Sequence, residues 1–225
     1  MLLLEEGGNN MQYSIVDICN LALVQLKVRP IIGLKDGTEE ARQCDKMFPF
    51  VLSQLLAMSN WSFAKIRRTI SRLDVKTLDK SYLPKEKLNY FKYPSDAVRV
   101  RSVVLDGRVF DWDKPENDNG YEIMSVKIKA PQEDLFVQVF ATKAKHLEIE
   151  YTRYIDNPQF WPPLFTEALV RYLAYMLSTV VSGSSGSAET QYQLFQLAYA
   201  KASAGNNNER KQTLRPEPKI FRGCW

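Results

Sequence analysis

One histidine, three cysteines and a cluster of arginines are the residues of this sequence best suited to chemistry. An imidazole works near neutral pH as acid, base or metal ligand, but each role needs a partner: a carboxylate, a nucleophile or further ligands. His146 stands before the strand-like LEIEYTRYI, beside TKAK, and no such constellation surrounds it. Cys19 and Cys44 fall on the apolar faces of helix-like segments, where a thiol acts as a small buried hydrophobe. With Cys224 the count is odd, and no CxxC spacing occurs. Neither a disulfide framework nor a zinc site is implied, and a reducing compartment suits the chain. The sequence has no GxSxG turn to expose a serine, no GK[ST] after the glycines of SGSSGS, and no HExxH or EF-hand pattern. The expectation is no catalytic residue, no metal and no cofactor, and therefore not an enzyme.

The arginines come in WSFAKIRRTISRL, residues 61–73. Lys65, Arg67, Arg68 and Arg72 have the chemistry to contact phosphates, and a nucleic-acid-binding module built on residues 65–72 is the alternative reading of the chain. The competing reading is a solvated face or an ion-paired subunit edge, since arginine is enriched at interfaces. The net charge is a mild +4 and no RRM, KH or helix-turn-helix signature accompanies the run, which favours the second reading. A further candidate is RPEPKIFRGCW, residues 215–225. Pro216 and Pro218 oppose a helix. Yet Ile220, Phe221 and Trp225 are the large apolar residues typical of interface anchors. An extended segment of this kind adds to a sheet edge or lies in a partner's groove. Docking is read here over idle disorder, with Arg215, Lys219 and Arg222 at the rim of the contact.

These residues need elements to position them. The chain has 225 residues, 45% apolar and 25% charged, which allows one domain or two small ones without help from metal or disulfide. No run approaches the ~20 apolar residues of a membrane helix, so no membrane partner is expected. MLLLEEGG lacks the basic flank and long apolar stretch of a secretion signal, and residues 1–12 read as a flexible arm. Ser14 and Asp17 make a capping box before Ile15, Ile18, Cys19, Ala22 and Leu26, which predicts a helix over 14–27. Thr38 and two acids open a second helix, with Ala41, Cys44, Phe48, Val51, Leu52 and Leu55 on one face and Pro49 as a kink.

Alternating segments follow, among them an Asp106-Gly107 hairpin turn, YEIMSVKIKA, LFVQVFAT and HLEIEYTRYI. Pro162 and Pro163 suit the first turn of a third helix. Ser187 is placed to cap a fourth, which runs out at Gly205 and NNNERK. The expected fold class is α+β: a four-helix bundle with an inserted antiparallel β-sheet or barrel and an extended C-terminal tail. The arm covers 1–12, the bundle 13–84 and 157–205, the β insertion 85–156, and the docking tail 206–225.

Several stretches resemble one family. IVDICNLALVQL is similar to the first helix of the head-to-tail adaptor proteins of short-tailed bacteriophages, the tail tubular protein A type. TEEARQCDKMFPFVLSQLLAMSNWSFAKIRRTISRL resembles the family pattern of an acidic helix start, a small residue, an aromatic-Pro step, then W-x-F-A and basic residues. YPSDAVRVRSV and LEIEYTRYIDNPQFWPPLFTEALVRYLAYMLS resemble its strand after Y-x-x-P, its return strand and its third helix. The likeness spans about two-thirds of the chain and is weakest over 106–145. Many members carry Leu-Gly after helix one, where this chain has Leu26-Lys27. A lysine takes a left-handed cap at greater cost than glycine.

The resemblance implies a structural virion protein of the neck and tail, assembled in the host cytoplasm. It implies a homo-oligomeric, dodecameric ring that joins the portal protein to the tail nozzle protein, with double-stranded DNA in transit through its lumen. It further implies that the C-terminal segment, with Arg215, Lys219, Ile220, Phe221, Arg222 and Trp225, docks on the portal.

Overall fold

The computed structural model describes residues 13–84, 88–111, 120–129, 135–182 and 185–212. These divide into two compact units: a helical one running to Leu55 and resuming at Ile155, and a sheet unit of Leu56–Tyr154.

In the helical unit, α1 (Ile15–Gln25) starts at the expected capping box. The Ser14 hydroxyl accepts from the Asp17 amide at 3.1 Å, and the Asp17 carboxylate accepts from the Ser14 amide at 2.8 Å. The bonds from Ser14 hold the Asp17 carboxyl below its usual range. The helix ends in a full Schellman motif. The Val28 amide reaches the Leu23 carbonyl, the Lys27 amide reaches the Val24 carbonyl, and Lys27 lies at φ 59°. Lysine thus occupies the left-handed position that glycine fills at least cost.

Next, α2 (Glu39–Met58) begins where the Thr38 hydroxyl accepts from the Ala41 amide, and it continues through Pro49. Its stripe of Ala41, Cys44, Phe48, Val51, Leu52 and Leu55 is buried as the spacing predicts. Beyond the sheet unit, α3 (Pro163–Leu177) passes through a π turn at Ser178–Ser182, and α4 (Ser185–Gln212) follows.

This arrangement is not the expected four-helix bundle. The helix α1 packs on α3 and α3 on α4, but α2 makes no comparable backbone approach to any of them. It reaches its neighbours through side chains instead: Cys44 bonds Cys19, and the Phe48 ring lies 6.2 Å from that of Trp161. The lengths explain the difference. An 11-residue α1 spans about 16 Å and a 28-residue α4 about 42 Å, so the four cannot line one another as bundle helices do.

The fourth helix also differs from its expected bounds. It begins before Ser187 and passes Gly205 to reach Gln212. Gly205 does not end it because the glycine lies against α3: a Cβ there would sit 3.0 Å from Leu164 Cδ1. The missing side chain permits a close helix contact that keeps the helix going.

In the sheet unit, two antiparallel sheets replace the single inserted sheet or barrel that the alternation suggested. The strands are β1 (Lys65–Ile70), β2 (Asn89–Lys92), β3 (Ala97–Leu105), β4 (Arg108–Asp111), β5 (Tyr121–Ile128), β6 (Leu135–Thr142) and β7 (Leu147–Arg153). One sheet has the order β1-β7-β3-β4 and the other β2-β6-β5. The chain enters the first sheet at Lys65, well before residue 85. As its sequence predicts, Asp106-Gly107 turns β3 into β4, with φ of 47° and 88° and Leu105 paired to Arg108.

One core cluster draws on both sheets and includes Phe91, Val103, Phe140, Leu147, Ile149 and Tyr151. A second, with Leu78, Tyr90, Val126, Val139 and Ala141, lies on the other face of the smaller sheet. Neighbours Tyr90 and Phe91, like Val139 and Phe140, are therefore buried on opposite faces. The segment that follows β1 covers this sheet's edges: Arg72 bridges to Phe91 and Leu78 to Ile128.

Candidate functional site

Strand β1 carries Lys65, Arg67 and Arg68, and the residues beside them on β7 decide what they do. Period-two alternation puts Lys65 and Arg67 on one face, diagonal to Glu150 and Glu148. Lys65 Nζ lies 3.3 Å from Glu150 Oε2, and Arg67 Nε donates to Glu148 Oε1. That bond to Glu148 raises the Arg67 pKa. Exposed pairs such as these add little stability, but they offset two of the four positive charges of the stripe.

Arg68 points to the opposite face and bonds the Tyr151 hydroxyl, which in turn donates to Asp96 at 3.2 Å. Burial, ahead of the Asp96 charge, pushes the Tyr151 hydroxyl pKa up. Arg72 lies apart from the strand, with Nη1 donating to Asn89 Oδ1 at 3.1 Å. The four basic residues thus divide among three settings, and the ion-paired edge describes Lys65 and Arg67.

Of the remaining candidates, the two described cysteines are buried and His146 is exposed, with its backbone rather than its ring in the described bonds. The His146 backbone amide donates to Asp106 Oδ1 at 2.9 Å, and the Lys145 amide reaches the same carboxylate. These bonds, His146 first, hold the Asp106 carboxyl below its usual range. Cys19 and Cys44 are buried. The hydrogen bond to Cys44, then burial, pushes the Cys19 thiol well above its ordinary value, so it stays protonated at neutral pH. Among the described residues, no group of three or more His, Cys, Asp or Glu side chains could hold a metal ion. No described helix is long and apolar enough to cross a membrane.

The helical unit holds a feature that residue types alone did not mark. A cleft of about 630 Å³ opens beside α1 and the entry to α3, walled by Tyr13, Leu21, Phe160, Trp161, Pro163 and Val170. Phe160 is 58% exposed, Tyr13 41% and Leu21 38%. Trp161 is the fixed part of the wall. Its indole N–H donates to the Ile155 carbonyl at 3.1 Å, and its ring lies between those of Phe48 and Phe165. The polar groups of the cleft are Gln25, Gln159, Thr166, Glu167 and Arg171, with Arg171 Nη1 donating to Gln25 Oε1 at 2.7 Å. The sequence signal was QFWPP, which reads as a helix start; its aromatics gain a second meaning once α1 lies alongside.

Arg215, Lys219, Ile220, Phe221, Arg222 and Trp225, the docking residues read from the sequence, lie outside the described residues. Neither a family model nor a curated protein matches the chain.

Proposed function

We propose that this chain is a structural bridging subunit, an adaptor whose copies form a ring between a capsid portal and a tail nozzle and let double-stranded DNA pass. The observation that carries the reading is the open apolar cleft with exposed Phe160, Tyr13 and Leu21. Exposed apolar surface of this kind marks a place where another molecule is received, a polypeptide among them. The family resemblance of residues 15–26, 38–73, 93–103 and 147–178 supports the same role and supplies the partners: other copies of the chain, the portal and the nozzle.

In this reading the helical unit makes the heterologous ring contacts, which must close on themselves. The C-terminal segment provides the portal contact, with Ile220, Phe221 and Trp225 as anchors. Many weak attachments in one ring add to a durable joint. The rival reading, a nucleic-acid-binding module on residues 65–72, requires cations available to phosphate. The pairing of Lys65 with Glu150 and Arg67 with Glu148 speaks against it.

Deletion of residues 214–225 tests the adaptor reading. Particles assembled with the shortened chain are expected to lose the adaptor from their necks, and normal retention overturns the docking role. The rival is tested by titrating duplex DNA at low salt, where a module of that kind binds tightly and with a steep salt dependence. An adaptor whose lumen lets DNA slide binds it weakly.

A further inference from the structure

We infer that the α1–α3 cleft is the seat, in the free chain, of the chain's own residues 213–225. The first ground is where α4 ends. Gly205 lies against Leu164, the second residue of α3. Helix α4 then continues through residue 212, seven residues or about 10 Å past that contact. Helix α4 therefore overruns the first turn of α3, the turn whose Pro163 walls the cleft.

The second ground is reach. Thirteen residues follow Gln212 in the sequence, enough to span at most about 43 Å. Returning past the last turns of α4 takes about 10 Å, and the path from Pro163 to Arg171 another 12 Å or so. The segment covers the cleft with length to spare.

The third ground is chemistry. Pro216 and Pro218 bias the segment to polyproline II, the conformation that aromatic-lined grooves accept. Tyr13, Phe160 and Trp161 are such a lining. Ile220 and Phe221 supply apolar side chains for a cleft whose size is in the ~300–1,000 Å³ range of binding pockets. Glu167 offers a carboxylate to Arg215 or Lys219, and Arg171 a cation to Glu217. Tethering sets a local concentration in the millimolar range, which favours this occupant over the same segment of a second copy. The anchors are thereby covered until a partner competes for them.

The test uses the full chain with Phe221→p-benzoylphenylalanine, irradiated in dilute solution, with the cross-linked peptides mapped by mass spectrometry. Cross-links within one chain to the peptides containing Leu21, Phe160 or Val170 are expected, in a yield that does not change on dilution. In that background Leu21→Arg, on the exposed wall of α1, lowers the yield about tenfold, the equivalent of one lost leucine burial. Its circular dichroism stays that of the parent, and Leu21→Met restores most of the yield. Cross-links to the sheet unit, cross-links between copies that fade on dilution, or no cross-link above background each overturn the inference. The outcome concerns the free chain alone, and neck retention remains the separate measure of portal docking.

Discussion

The helical and sheet units differ in what covers their conspicuous residues. The sheet unit covers its smaller sheet and pairs its β1 cations, while Val109 and Phe136 stay exposed on its surface. Its smaller sheet is buried on both faces, its edges are bridged at Arg72 and Leu78, and the cations Lys65 and Arg67 of β1 are matched by glutamates of β7. The helical unit leaves apolar side chains open around one cleft and extends α4 well past the start of α3. Paired charges and covered sheet edges suit a spacer or platform, whereas an open apolar cleft suits the docking role proposed above. The basic stripe was the more conspicuous feature of the sequence, and the fold pairs two of its four cations, Lys65 and Arg67, with glutamates.

Substitutions can break this contrast. The largest effect is expected from Phe140→Ala, between the two sheets, at about 3–5 kcal/mol of stability in a urea titration. Phe160→Ala, on the cleft wall, stays within about 0.5 kcal/mol because the ring is already largely in water. A comparable loss at both sites would mean that the cleft is core rather than surface. Ser14→Ala removes the cap of α1 and costs about 1 kcal/mol by the same measurement. Lys27→Gly moves the midpoint the other way, by about 0.5–1 kcal/mol. It relieves a left-handed residue that costs roughly 1–2 kcal/mol, less the greater freedom of glycine in the unfolded chain.

Acid separates the units more finely. The folded-state pKa values of Asp17 and Asp106 are lowered, by hydrogen bonds from Ser14 and from the backbone amides of His146 and Lys145 respectively. Their stabilisation is therefore present above the unfolded carboxylate value near ~4, and is lost as pH falls below it through the folded values. Asp106→Asn is expected to flatten the acid slope of the sheet unit, and Asp17→Asn that of the helical unit, each followed by residue-resolved hydrogen exchange. Smallest of all, Lys65→Ala changes stability by a few tenths of a kcal/mol, the worth of an exposed pair. A larger change would make the β1–β7 charge ladder a structural support.

How far the sequence could be read depended on whether the signal was local. The capping box of Ser14 and Asp17 and the turn of Asp106-Gly107 are satisfied within a few residues, and both lie where the spacing put them. The end of α1 was harder to read, because Lys27 gives no glycine signal for the left-handed cap that it nonetheless forms. The end of α4 was misplaced because Gly205 and the asparagines after it are poor helix formers. Contact with Leu164, remote in sequence, outweighs that propensity. The charge ladder was half visible: Lys65 and Arg67 stand out in the chain, but Glu148 and Glu150 become partners only through strand pairing. The cleft was not visible at all, since its walls come from segments more than a hundred residues apart.

By itself, then, the amino-acid sequence determined the α+β class, where most helices and turns begin, and which faces of α1 and α2 are apolar. These follow from periodicity and from hydrogen bonds closed within a turn of chain. Only the tertiary structure decided that the helices form no four-helix bundle, that the strands divide into two sheets, that Lys65 and Arg67 are matched by glutamates, and that Phe160 and Trp161 wall a cleft with Leu21. Each of those depends on which distant surfaces exclude water together, and burial of that kind is not encoded in any local run of residues.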